Sequence, residues 1–447
     1  MLINHSIRFK NLLTRTCGIL LTMLAIISCT QQTPQEKKTE IKKDTAKIYT
    51  KEKTSTQKTS TQKKEFVRIY NDNARFIAGM KSDEGSEFLK LEKNQDWRIY
   101  ASWFNNGWTA LEERQLSKIK SWSEKELTFN NPASAHSESH SDMQGYKTVF
   151  YPFSGADFLY ADTFFPAAEN YIMIGLEPVG KIPDIRKIPS DFWENYFLAL
   201  RKAQSTILSS SFFKTRDMRT DFQIQELKGT LPLLMVYLAR TGNKIITIEP
   251  VQVNDSGQVI KSTFPQITWQ GAGKMNGVQI TFEVNRGNDS LSSVTKNSNE
   301  TASVQKTLYY FSFDLSDKSL QKKNGLEIFL NSFSEAATFI KSASYLMHQP
   351  NFETIHKIIL NHSQAVLQDD SGIPVHFFAE QENWQKVQYY GTYNGPIPMF
   401  KKFYQTDLKN AFNDTSKVKP LPFGIGYQRK VDKSNLLIAK KTFPVKS

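Results

Sequence analysis

The densest group of chemically capable side chains in the chain is the run Tyr151-Pro152-Phe153-Ser154-Gly155-Ala156-Asp157-Phe158-Leu159-Tyr160-Ala161-Asp162. Ser154 beside Gly155 invites a nucleophile. A nucleophile elbow, however, wants glycines two residues before and two after the serine, so that a strand can turn sharply into a helix. Pro152 and Ala156 stand at those positions. A capping box fits better, with Ser154 as N-cap accepting from the Asp157 amide and Asp157 reaching back to the Ser154 amide.

The carboxylates of this run raise a second question. Asp157 and Asp162 lie in an aromatic-dense segment, and a buried carboxylate needs hydrogen bonds or a cation, or its pKa rises. His348 and the amides around Gly372 are suitable partners. The segment from Ser154 to Asp162 is therefore expected to approach the helix end at Ser344–His348 and the turn Asp369-Asp370-Ser371-Gly372. On this reading Asp157, Asp162, His348 and Asp369 are the candidates for acid–base work, which needs only a positioned pair. Ser154, Tyr160, Ser344 and Asp370 are the candidates for ligand contact. The rival account is local: Asp157 closes a capping box and Asp162 faces solvent.

Other constellations carry less. His136 and His140 are spaced for one helix face, but Ser, Ala, Pro and Asn around them are loop composition, and no metal is expected there. His362 falls on the stripe Ile355, Ile358, Ile359 and Val366 and reads as a buried histidine, with His356 on the flank. Asp369-Asp370-Ser371-Gly372 lacks the alternating acidic spacing of a calcium loop and reads as a turn. Gly271-Ala272-Gly273-Lys274-Met275-Asn276-Gly277 is one residue off the dinucleotide pattern and precedes a strand rather than a helix. No cofactor is expected.

The elements that must position these groups read as an α+β (mixed α/β) body with a mixed sheet and flanking helices. Trp97–Phe104 and Trp108–Leu127 read as helices around a break at Asn105-Asn106-Gly107. Thr148–Tyr151 reads as a strand and Ala156–Phe165 as a short helix. Tyr171–Leu176 is a continuous apolar run that suits a strand covered on both faces. Helices follow from Trp193 and over Leu231–Leu238, and strands over Lys244–Val253, Val278–Val284, Thr307–Phe313 and Lys386–Tyr390. Phe333, Ala336, Ala337, Ile340 and Met347 fall at helical spacing, as do Phe352, Ile355, Ile358, Ile359 and Val366. The C-terminal stretch reads as an irregular wrap closing on Leu421–Tyr427. The body, 66–447, is expected to be one unit, with two lobes at 66–240 and 241–447 as a possible division.

The first 65 residues are of a different kind. Arg8, Lys10 and Arg15 precede a short apolar run from Cys17 to Ser28, as in a secretory signal. The run is too short to span a bilayer, which takes about 20 residues. It ends in Ile26-Ile27-Ser28-Cys29, which resembles the lipobox of bacterial lipoproteins. The resemblance implies removal of residues 1–28 and acyl chains on Cys29, and two or more such chains make a stable membrane anchor. The chain holds two cysteines, Cys17 and Cys29, so the mature body has no free thiol for disulfides, thiolate catalysis or Cys-type metal sites. Residues 30–65 are nearly all Thr, Gln, Lys, Glu and Ser, with Thr54-Ser55-Thr56-Gln57-Lys58 repeated at Thr59–Lys63. Such composition is expected to stay disordered, a tether with a mean span of about 30–35 Å.

The tether and signal carry most of the net charge of +13, leaving +5 for the body from Phe66 on. Nucleic-acid binding is not indicated, because it calls for basic residues clustered on one face. Thr30 after Cys29 is not the Asp that retains some lipoproteins at the inner membrane, so the outer membrane facing the periplasm is favoured.

The runs Tyr151–Phe165, Leu176-Glu177-Pro178-Val179-Gly180, Ser344-Tyr345-Leu346-Met347-His348 and Leu367–Pro374 together resemble a family of bacterial exported lipoproteins. The likeness covers most of the body and implies a shared fold, without a reaction type. Two functions remain open. One is a non-enzymatic envelope module, anchored through Cys29, that binds a protein, glycan or lipid partner. The other is a hydrolase of an envelope polymer working through carboxylates and histidine.

Overall fold

A computed structural model describes residues 64–127, 146–210, 229–263, 274–284, 304–322, 325–334, 336–384 and 386–442, all within one unit, Thr59–Ser447. Residues 1–63, with the expected signal, Cys29 and nearly all of the expected tether, lie outside the described residues, as do His136, His140 and Gly271–Gly273. Lys64 and Glu65, expected to end a disordered tether, are helical: helix α1 covers residues 64–77.

The fold is α+β, built on one mixed sheet. Its strands are β1 Thr148–Pro152, β2 Asn170–Gly175, β3 Asn243–Val253, β4 Val259–Lys261, β5 Met275–Val284, β6 Gln305–Ser312, β7 Ala336–Ile340, β8 Ala365–Gln368, β9 Lys386–Gly391, β10 Val418–Lys419 and β11 Asn435–Lys440. Their order is β10-β9-β11-β8-β7-β1-β2-β6-β5-β3-β4. The five central strands, β8-β7-β1-β2-β6, are parallel. Antiparallel β11 continues the sheet on one side and antiparallel β5 and β3 on the other. The two halves of the chain interleave, because β1 and β2 lie between β7 and β6.

Burial on both faces explains the composition of the central strands. Val149, Tyr151, Tyr171, Met173, Phe339 and Leu367 enter one core; Phe150, Ile172, Ile174, Ile340 and Val366 enter the other. The first core is covered by α2 Gln95–Leu111, α3 Ser117–Glu126, α4 Phe158–Phe164, α5 Trp193–Ser210 and α6 Leu231–Arg240. The second is covered by α7 Glu353–His362, which lies between β7 and β8 in the chain; α8 Thr406–Asn413 adds Leu408 and Phe412 to it.

Several expectations are corrected. The segment 333–347 is not a helix: its centre is β7, all five residues buried. A strand between parallel neighbours hides both faces, so it shows no period of two, and its apolar positions matched helical spacing by chance. Val366 belongs to β8 rather than to the helix before it. Asn105-Asn106-Gly107 does not break α2. Asn105 Nδ2 donates to Gly79 O at 3.0 Å, and Gly107 allows Leu208 to approach within 3.3 Å of where a Cβ would stand. The helix instead changes pitch further on, in a π-turn over Glu112–Leu116. The histidine roles reverse: His356 is buried, whereas His362 sits 3.2 Å from Glu327 Oε1 near the surface.

Candidate functional site

The connection from β1 to β2 runs through α4 on one face of the sheet, and that from β7 to β8 through α7 on the other. Adjacent strands whose connections leave in opposite directions form a topological switch point, and the crevice beyond their carboxyl ends is where ligands bind in open parallel sheets. Here that crevice lies past Pro152 of β1 and Ile340 of β7. Its walls come from Tyr151, Phe153–Gly155 and Asp157, from Ile174–Glu177, Phe313–Leu315 and Lys341–Ser344, and from Leu346 and Phe352, around a cavity of about 140 Å³.

The backbone is strained where the strands end. Phe153, Ser342, Ser344 and Tyr345 have φ of 58°, 53°, 53° and 52°. Non-glycine residues enter this left-handed region at a cost, and such residues collect at functional sites. Only one other described non-glycine residue, Arg429, shares it.

At the base of the crevice, Lys341 Nζ meets Asp157 Oδ2 at 2.8 Å, with both side chains at most 2% exposed. Tyr151 Oη donates to the same carboxylate oxygen at 2.8 Å. Lys341 Nζ also lies 4.3 Å from the centre of the Tyr160 ring, whose hydroxyl donates to Gln115 Oε1 at 3.1 Å. Burial raises the pKa of Asp157 against the opposing pull of Lys341 and Tyr151, and burial together with the Asp157 charge raises that of Tyr151. Above them, Phe153 and Phe352 meet edge to face at 5.8 Å and form an aromatic rim.

A second layer holds the β7 loop from behind. Asp369, at the end of β8, accepts from Ser342 N at 2.9 Å and from the Ser371 amide and hydroxyl at 3.0 and 2.5 Å. Burial raises its pKa beyond what these bonds offset. Ser371 Oγ accepts from Ala343 N at 2.8 Å. Tyr427 Oη donates to Ser342 O at 2.7 Å and accepts from Ser344 N at 3.0 Å. Gly426 permits this strap to pass: at φ 68°, a Cβ there would stand 2.5 Å from Asp369 Oδ2. Gly175 has the same duty at the end of β2, where a Cβ would meet Glu177 Oε2 and the Tyr310 hydroxyl, each at 2.7 Å.

Of the residues singled out in the sequence, Ser154, Asp157 and Ser344 line the crevice, and Asp369 supports its β7 wall. Tyr160 lies beneath, through its ring. Asp370 is one step removed. Tyr345 Oη donates to it at 2.5 Å and Asn435 Nδ2 at 3.2 Å, and burial with the neighbouring Asp369 charge lifts its pKa to about 7. His348 packs against Tyr345 and Phe403 at 5.1 and 5.6 Å, and burial lowers its pKa to about 4. Asp162 points elsewhere, accepting from Tyr171 Oη at 2.9 Å.

The capping box does not form. Ser154 Oγ donates to the carbonyls of Gly155 and Ile174 at 3.1 and 3.3 Å. Asp157 is itself the residue before α4, and its carboxylate is engaged by Lys341. Lys341, Ser342 and Tyr427 were not singled out in the sequence. A lysine directly after a short apolar run was the available signal for the first. No family model, no curated protein and no solved structure matches the chain.

Proposed function

We propose that this is a lipid-anchored cell-envelope module, held through acyl chains on Cys29 at the outer membrane and facing the periplasm, whose body binds a glycan segment without turning it over. One observation carries the choice of ligand: a buried Asp157–Lys341 pair stands under the Phe153–Phe352 rim in a crevice at a switch point. A sugar ring has an apolar C–H face and a hydroxyl edge. Aromatic edges suit the first, and carboxylates and hydroxyls suit the second. Asp157, Glu177 and Asp314 supply acceptors around the same cavity, and Ser154 and Ser344 supply hydroxyls.

The raised pKa of Asp157 favours a second reading, a hydrolase that uses this carboxyl as general acid. Titration of solubilised envelope saccharides into the full chain separates the readings. Saturable binding that Phe153→Ala and Phe352→Ala each weaken tenfold or more, without new reducing ends, supports the binding module. Reducing ends that cease in Asp157→Asn support the hydrolase. No binding of any saccharide overturns both.

A further inference from the structure

A second cleft lies away from the crevice, between the π-turn of the α2–α3 region and the turn after Tyr427. Among the described residues, Arg114, Lys118, Arg429 and Lys430 line it with one acidic residue, Asp432, around a cavity of about 280 Å³. Four cations against one anion in a concave surface repel one another and focus a positive potential outward. Arg114 and Lys118 are four residues apart on consecutive helical turns, a spacing that sets like charges side by side.

Two costly backbone features converge on this cleft. The helix runs as a π-turn over Glu112–Leu116, which includes Arg114; such turns are rare and concentrate at functional sites. Arg429 is held at φ 55°, outside the ordinary range of an L-residue. Both walls are also fixed. Arg114 Nη2 donates to Leu208 O at 2.8 Å, and Gln115, buried at the floor, donates through Nε2 to Gly424 O at 2.6 Å. The cations are thus mounted on a braced frame.

We infer that this cleft binds a phosphate group. A carboxylate brings one charge and two oxygens. A phosphate brings more acceptor oxygens and, as a monoester, more charge, and guanidinium and ammonium donors arranged around one point match it. The group could be a free phosphate or monoester, or the phosphodiester of a lipid headgroup or polymer. The inference does not rest on the glycan reading, since none of these residues lines the crevice.

Calorimetric titration of the full chain in non-ionic detergent at near-physiological salt tests it, with inorganic phosphate and glycerophosphoglycerol as probes and sulfate as control. We expect one saturable site for at least one phosphate probe, tighter than sulfate. Tighter inorganic phosphate assigns the monoester source; tighter glycerophosphoglycerol assigns the diester. Arg114→Gln with Arg429→Gly should weaken binding at least tenfold, since glutamine keeps a donor for Leu208 O and glycine keeps the left-handed turn. The exposed pair Lys118→Gln with Lys430→Gln should do the same without disturbing packing, and Lys90→Ala with Lys93→Ala should change nothing. Absence of saturable binding to both phosphate probes overturns the inference. So does binding that sulfate equals, or that the Lys118/Lys430 variant leaves unchanged.

Discussion

Lys341 and Asp157 come from opposite sides of the switch point and meet in the interior at 2.8 Å, each the other's counter-charge. Removing one partner strands the other in a low dielectric. Lys341→Met is expected to cost about 3–5 kcal/mol, the range for a broken buried pair. Adding Asp157→Asn to it should restore at least about half, because the stranded charge is gone. Denaturant unfolding of the wild type, both single variants and the double variant checks this. Additive losses would show that the two side chains are not coupled.

Ser342 is held at φ 53° and its buried hydroxyl finds no hydrogen-bond partner among the described residues. Ser342→Gly should therefore stabilise the fold by about 0.5–1 kcal/mol, since glycine takes this conformation freely. If the strain serves the crevice, the same variant should bind saccharide less well. Melting temperature and titration, run on one preparation, would expose the trade; a variant that melts lower would refute the strain.

His356 is 4% exposed, and burial lowers its pKa from 6.5 to about 4 despite the nearby Met347 carbonyl. Between those values the unfolded chain binds a proton that the folded chain refuses, so its contribution makes stability fall as pH drops from 6.5 to 4. Asp370 works the other way: its pKa is raised to about 7, so the folded form takes up the proton first and gains stability as pH falls from 7. The two are separated by difference. His356→Leu should gain on the wild type progressively from pH 6.5 to 4, by on the order of 2–3 kcal/mol at the lower end, and not at all above pH 7.5. A stability difference independent of pH would show that His356 does not titrate as described.

The sequence Ile26-Ile27-Ser28-Cys29 predicts a mature protein that begins at Cys29 and carries added acyl mass. Intact-mass measurement of the membrane fraction should find it. A Cys29→Ala protein that is still processed and still membrane-bound would contradict the anchor.

What could be read in advance followed what is local in the chain. Tyr171–Leu176 declared itself because an unbroken apolar run of strand length has few other uses, and Tyr151–Asp162 stood out by density. The approach of Ser154, Asp157, Ser344 and Asp369 was legible as a need: a carboxylate in an aromatic setting must find partners. Its actual partner was not. Lys341 follows Ala336–Ile340, whose apolar residues fit a helical stripe, and a helix there would have put the lysine on the flank of that stripe, four residues after Ala337, instead of beyond a strand end. Tyr427 was hidden for a different reason. Its part depends on the backbone of Gly424–Gln428 turning past Asp369, and no spacing encodes that. Asp157 illustrates the limit at a single residue, since the same side chain can cap a helix or answer a lysine from the far strand, and only the sheet order decides.

That sheet order also has a bearing on how the chain comes to be folded. β1 finds β2 soon after it is made, but its other neighbour, β7, is among the later strands, after β2 to β6. Until then one edge of β1 is open, with Val149 and Phe150 along it, and an unpaired apolar edge is a template for association with other chains. Pairings this distant in sequence also close slowly, because the loop must be ordered before the contact rewards it. The pairing that brings Lys341 to Asp157 must wait for β7, so a chain folded only through β6 would be sticky and without a crevice.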